Sequence, residues 1–232
     1  GDNSTVNVTQ TGAGNVVRGV QSGGSSGNTV RAKMTGDTAA VDIRQIGQDN
    51  TLNLGYDVTT ASGQPKGIDL KYYVTGNNGT ATINVNNAGT GTAASNTIDV
   101  RQTGNSASLN LNMLGSKNTF VGTTTGGASN AITATVNADE TNTNINFSGG
   151  GSNSATLTMS SNKGVVDIDA VGASNSFTLT QSGTAGTNGH SFTFNVTGSS
   201  NSVTASQTGT SDNIVNVTSS GSGNTWTLTQ GQ

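Results

Sequence analysis

The chain has 232 residues, 30% of them hydrophobic and only 9% charged, with a net charge of −3, one proline and no cysteine. Its nine scattered Lys and Arg do not form the clustered basic footprint of a nucleic-acid-binding protein. No apolar run reaches the ~18 residues of a membrane helix, and the absence of cysteine removes disulfides and thiolate metal sites. Low hydrophobicity on its own would suit disorder, but disordered chains carry many charges and prolines. Here the polar residues are Gly, Thr, Ser and Asn. Thr and Val favour strands, and Gly, Asn and Ser favour turns, so the composition fits many short strands joined by tight turns. No signal peptide is visible, as expected if Gly1 begins a mature chain that has lost one.

In chain order, one unit recurs. A glycine and a few small residues lead to an anchor, usually Asn, and then to an alternating run whose inward positions are apolar or small. Ser4 leads Val6 and Val8 to Gln10, and Asn15 leads Val17 and Gly19 to Gln21. Asn28 precedes Val30/Ala32, Ala39 precedes Val41/Ile43 and Gln45, and Asn50 precedes Leu52/Leu54. Ile68/Leu70 follow with Tyr72 and Val74 in phase, then Ile83/Val85, then Asn96 with Ile98/Val100 and Gln102. Ala107, Asn118 and Asn130 lead the next three runs, and a phase-shifted unit near Asn142 carries Ile145/Phe147. Asn153, Gly164 and Asn175 come next, the last leading Phe177/Leu179 to Gln181. His190 leads Phe192/Phe194, Asn201 leads Val203/Ala205 to Gln207, and Asn213 leads Val215/Val217. Asn224 leads Trp226/Leu228 to Gln230. About nineteen strands are predicted by this period-two rule.

Anchors recur at eleven to thirteen residues, so two strands make a coil of 22–25 residues. Such a period predicts a solenoid rather than a sandwich. The expected fold is all-β: one β-solenoid over 1–232 with two short strands per coil, about 9–10 coils, roughly 45 Å long at ~4.8 Å per coil. Loop insertions are expected near 57–67, which holds Pro65, near 87–95 and near 184–189. Duplication is visible where Val-Asp-Ile-Arg-Gln-Ile-Gly at 41–47 returns as Ile-Asp-Val-Arg-Gln-Thr-Gly at 98–104. Stacked coils bring equivalent residues within hydrogen-bonding reach, so inward Asn and Gln are expected to form ladders along the stack. An inward amide without a partner would cost about 1–3 kcal/mol, so the ladder also fixes register.

Ser4, Gln10, Gly12, Asn15 and Gln21 fill every position of the curlin repeat: Ser, five residues, Gln, one, Gly, two, Asn, five, Gln. The half motif returns at Asn96/Gln102/Gly104, Asn175/Gln181/Gly183, Asn201/Gln207/Gly209 and Asn224/Gln230/Gly231. The chain therefore resembles the curlin-repeat family, subunits of bacterial functional-amyloid fibres. That resemblance implies secretion, an extracellular place in a biofilm matrix, and polymerisation of the chain with itself, with a nucleator or secretion channel as further partners. The ladder and assembly residues are then Ser4, Gln10, Asn15, Gln21, Asn28, Gln45, Asn50, Asn96, Gln102, Asn175, Gln181, Asn201, Gln207, Asn224 and Gln230. The repeat runs to both termini without a capping helix, a proline or a charge cluster, and uncapped edges template one another. Val6 and Val8 of one copy are expected to meet Trp226 and Leu228 of the next, in a contact that does not close and so gives a filament.

Other readings are weaker. His190, the lone histidine, lacks partner ligands for a metal and reads as a turn residue. Without a nucleophile elbow no enzyme is expected, and no cofactor. Asp42, Asp99 and Asp167 share one outward phase, with Arg44 and Arg101 two residues beyond two of them, and read as exposed pairs rather than a calcium edge. The pairs Thr133/Thr135, Thr156/Thr158 and Thr178/Thr180 face outward as in ice-binding solenoids, although Asn, Asp and Arg interrupt the rows. A phage fibre or decoration protein and an ice-binding or adhesin solenoid are the alternatives.

Overall fold

The structure, a computed structural model, describes residues 3–23, 27–58, 67–76, 78–87, 95–104, 106–126, 129–149, 151–182, 190–208 and 213–231. Apart from flanking residues, the three expected insertions and Pro65 lie outside this set.

Among the described residues, seventeen strands form two parallel sheets, traversed alternately. The first sheet stacks β1 (Thr5–Thr11), β3 (Thr29–Thr35), β5 (Thr51–Asp57), β7 (Thr80–Asn86) and β9 (Ser108–Leu114). It continues through the first part of β11 (Ala131–Ser148) and of β12 (Ser154–Val171) to β13 (Ser176–Ser182), β15 (Ser202–Gln207) and β17 (Thr225–Gln230). Nine pairings thus link ten rungs. The second sheet stacks β2 (Gly14–Ser22), β4 (Thr38–Ile46), β6 (Gly67–Thr75), β8 (Ser95–Thr103) and β10 (Lys117–Thr125). The later parts of β11 and β12 follow, then β14 (Ser191–Thr197) and β16 (Ile214–Ser220), so eight pairings link nine rungs. Parallel neighbours need a crossover of a dozen or more residues. Here the crossover is the strand of the opposite sheet. This is the predicted β-solenoid of two strands per coil.

β11 and β12 are each 18 residues long and turn the corner between sheets without a break. The other kind of corner, where the second sheet hands the chain back to the first, is made by glycine. Gly198 has φ 132°, and a Cβ there would strike the Gly172 carbonyl oxygen of the coil below. Coils this closely stacked leave no room for a side chain at that point.

Equivalent residues stand in columns. Val30 lies on Leu52, and Ala155 on Phe177. A one-residue slip would turn every inward side chain outward, so the apolar alternation sets the register. The core between the sheets is thin and is filled by pairing large residues with small ones. Gly122 lets the Phe120 ring occupy the space its own Cβ would need, and Phe147 packs on Phe177 with ring centroids 5.8 Å apart.

Two expectations are corrected. The unit near Asn142 is not phase-shifted: Thr141 stands above Asn118 as the anchor and is buried, while Asn142 points out. Its phase is fixed by buried Ile145 and Phe147, which share the inward parity of Thr141. His190, read as a turn residue, keeps its expected anchor position but is fully buried there, in line with Gly164 at the inner edge of the second sheet.

Candidate functional site: amide ladders, outer faces and open ends

An asparagine ladder runs unbroken through the second half of the first sheet. The Nδ2 of Asn130 donates to Asn153 Oδ1 at 3.1 Å, Asn153 to Asn175 at 3.1 Å, Asn175 to Asn201 at 2.9 Å and Asn201 to Asn224 at 3.1 Å. Each Oδ1 also accepts the backbone N–H of the asparagine below it, at 2.9–3.3 Å. The amides therefore satisfy buried backbone at each bend as well as one another. Sequence reading named Asn175, Asn201 and Asn224 but missed Asn130 and Asn153 as ladder members. The missed signal was their spacing of 23 and 22 residues from the next anchor.

The first half of this column is interrupted. Asn28 donates to Asn50 at 3.3 Å, but Gly79 and Ala107 take the next positions. The second sheet has a shorter run, with Asn96 donating to Asn118 at 2.8 Å. Asn15 lies next to Ala39, so it has no amide above it and bonds instead to the Thr35 carbonyl at 3.2 Å.

Glutamines mark the far end of several strands, and some of them brace the corner. Gln10 donates to the Val16 carbonyl at 3.1 Å, Gln21 to the Ser4 carbonyl at 2.8 Å and Gln102 to the Ser108 carbonyl at 3.4 Å. True ladder contacts join Gln45 to Gln21 at 3.0 Å and Gln230 to Gln207 at 3.3 Å. Gln45 Oε1 accepts the Tyr72 hydroxyl at 2.6 Å, entirely inside the core. Burial pushes the Tyr72 hydroxyl well above the ordinary tyrosine range and pushes Tyr56 up to about 12. Gln181 meets His190 Nδ1 across the core at 2.6 Å, so the lone histidine is part of the buried polar set.

The two outer faces differ. On the second sheet, Arg18, Asp42, Lys71 and Asp99 form one column of alternating sign. Beside it the Tyr73 ring lies between Arg44 and Arg101, each guanidinium carbon 5.4 Å from the ring centroid. Arg101 bonds Asp99 at 3.0 and 3.1 Å, and that hydrogen bond raises its pKa further. Asp167, higher on the same face, is held above the usual carboxylate range by burial and by neighbouring Asp169. On the first sheet, the rows are interrupted near the amino end by Asn53 and Arg31. From β11 onward they are not. Thr133, Thr156, Thr178, Thr204 and Thr227 form one exposed column; Thr135, Thr158, Thr180, Ser206 and Thr229 form the next.

Both ends are open. Val6, Val217 and Leu228 sit in core columns yet are 44%, 37% and 45% exposed. Val8 and Trp226 are partly covered, Trp226 by an edge-on contact with Phe194 at 6.1 Å. Comparisons with protein-family models, curated proteins and solved structures each find no match. The fold and its buried amides define the chain as a parallel, two-sheet β-solenoid with asparagine ladders.

Proposed function

We propose that the chain is the structural subunit of an extracellular fibre that grows head to tail, as its resemblance to curlin repeats implies, and that its role is mechanical rather than catalytic. The observation that carries this reading is the match between its two ends. The outermost strands, β1 and β17, belong to the same sheet and expose core-phase residues to solvent. Stacking β17 on the β1 of a second copy continues the columns of the first sheet: Trp226 meets Val6, Leu228 meets Val8 and Gln230 meets Gln10.

Hydrogen-bond polarity within the chain supports a head-to-tail joint. In the asparagine ladder each amide donates toward the carboxy-terminal end, so Asn224 is placed to donate to the Ser4 hydroxyl of the next copy. In the glutamine pairs donation runs the other way, so Gln10 of that copy is placed to donate to Gln230 Oε1. Two like ends would instead bring their strands together antiparallel, against the parallel register that the outermost pairings share. Exposed strand edges of this kind are templates for another chain. Placement outside the cell and the need for a nucleator or secretion channel follow from the curlin resemblance alone.

Electron microscopy of the purified chain tests this reading. The expected filament has an axial repeat of about 48 Å, from ten rungs at ~4.8 Å, with a notch one strand wide in the second sheet at each joint. Leu228→Lys, which charges the open edge, should stop growth while leaving the circular dichroism of the monomer intact. Growth unaffected by Leu228→Lys, or a chain that stays monomeric at high concentration, would overturn it.

A further inference from the structure

We propose that the outer face of the last five rungs of the first sheet binds ice. This is a property of the single chain and does not depend on fibre growth.

The face is an ordered grid. Its strands pair one to one, without a bulge, from β11 to β17. Side chains therefore repeat at about 4.8 Å between rungs and about 6.8 Å along each strand, twice the rise per residue. Both distances are close to the oxygen repeats on a prism face of ice. Nine of the ten positions in the two central columns are threonine and the tenth is Ser206. Threonine is β-branched and stiff at χ1, so the array is held in place before any contact and little entropy is lost on binding. Each hydroxyl can replace a lattice water, and each methyl group leaves an apolar gap around which neighbouring waters must order.

Charge and shape select the occupant. None of the outward positions of these five rungs is Asp, Glu, Lys or Arg, whereas the amino-terminal part of the same sheet exposes Arg31 and Lys33, and the other sheet carries the alternating column through Asp42 and Lys71. An ionised side chain would bind its own hydration water too tightly to fit a lattice, so an uncharged face matches an uncharged crystal. The face also exposes no Trp, Tyr or Phe, the rings whose flat apolar surface would grip a sugar plane. Each contact is weak, but ten rigid contacts act together against one continuous surface.

The whole chain, kept dilute enough to remain monomeric, should produce thermal hysteresis, shape growing ice crystals and partition into a slowly growing ice front. Thr178→Tyr, in the centre of the grid, should abolish all three while leaving the melting temperature and circular dichroism unchanged. Thr82→Tyr, on the same sheet among the interrupted rows, should abolish none. Absence of hysteresis in the native chain, or equal hysteresis in Thr178→Tyr, overturns the assignment. Two other results also overturn it: binding to crystalline cellulose or chitin, without ice activity, that Thr178→Tyr removes; or a monomer–dimer equilibrium that the same substitution shifts.

Discussion

The amino-terminal coils and the carboxy-terminal coils solve one problem in two ways. Every parallel stack must stop its rungs from slipping. From β11 to β17 the device is inside: an unbroken line of asparagines, each holding a side-chain amide and a backbone N–H of the coil below. From β2 to β8 it is largely outside, with charges of alternating sign and a tyrosine between two arginines. In the coil just before the inside ladder lapses at Gly79 and Ala107, the core holds tyrosines whose hydroxyls bond to Gln45 or to backbone. Where it is complete, the first sheet's outer face is free to be uncharged threonine. Buried hydrogen bonds are worth more than exposed pairs, so the two halves should differ in their response to substitution.

The largest effect is expected at Asn175. Asn175→Leu leaves the Asn153 backbone N–H without its acceptor and cuts the ladder in the middle, for about 2–4 kcal/mol. Asn50→Leu, in the interrupted half, should cost about half as much, because Asn50 has an amide partner on one side only. Chemical denaturation of both variants measures the difference. Equal losses would mean that ladder continuity adds nothing to the single amide.

Next comes Tyr72→Phe, expected to cost about 1–2 kcal/mol by leaving buried Gln45 Oε1 short of a donor. The variant also has a pH signature. Because burial raises the Tyr72 pKa, the unfolded chain releases that proton at the ordinary tyrosine value while the folded chain retains it. Native stability is therefore intact below that range and falls as pH rises through it. Tyr72→Phe should flatten this alkaline decline, leaving the share due to Tyr56. A decline of unchanged slope would place the titrating group elsewhere.

These contrasts also show how far the sequence could be read. Strand phase was legible because inward side chains recur every second residue, and the coil because anchors recur every eleven to thirteen. The anchor role of Asn96, Asn175, Asn201 and Asn224 followed from those two periods. What the periods hide is the partner of each polar group. Gln10 and Gln102 have the spacing of ladder residues but bond across the corner to backbone, because Met34 stands beside Gln10 in its column, and Val74 and Thr124 beside Gln102. Thr141 rather than Asn142 is the anchor, since the chain enters β11's second half without a glycine to mark the corner. His190 read as a turn residue because its partner Gln181 lies on the opposite sheet. The threonine columns looked interrupted because their continuity depends on which coils adjoin, and a linear reading mixes the two halves.

On the outside of the amino-terminal half, Tyr73→Ala removes the ring between Arg44 and Arg101. The site is partly exposed, so the expected cost is about 0.5–1 kcal/mol, visible as a small drop in melting temperature that shrinks in high salt as the exposed charges are screened. A loss as large as that of Asn175→Leu would contradict the ranking of inside over outside.

The smallest effect should have the opposite sign. Asp167 lies on the same outer face but within the carboxy-terminal coils, where no Lys or Arg stands beside it in its column: Asn144 is below and Thr193 above. Burial, and then the charge of Asp169, raise its pKa. The folded chain thus holds the Asp167 proton more tightly than the unfolded chain, so this group opposes folding once pH rises above the carboxylate range and ceases to do so as pH falls through it. Asp167→Asn should leave stability at neutral pH unchanged or slightly increased, and the gain should vanish in acid. A clear loss at neutral pH would mean that Asp167 is held by a favourable partner, and that the carboxy-terminal half also keeps its register from outside.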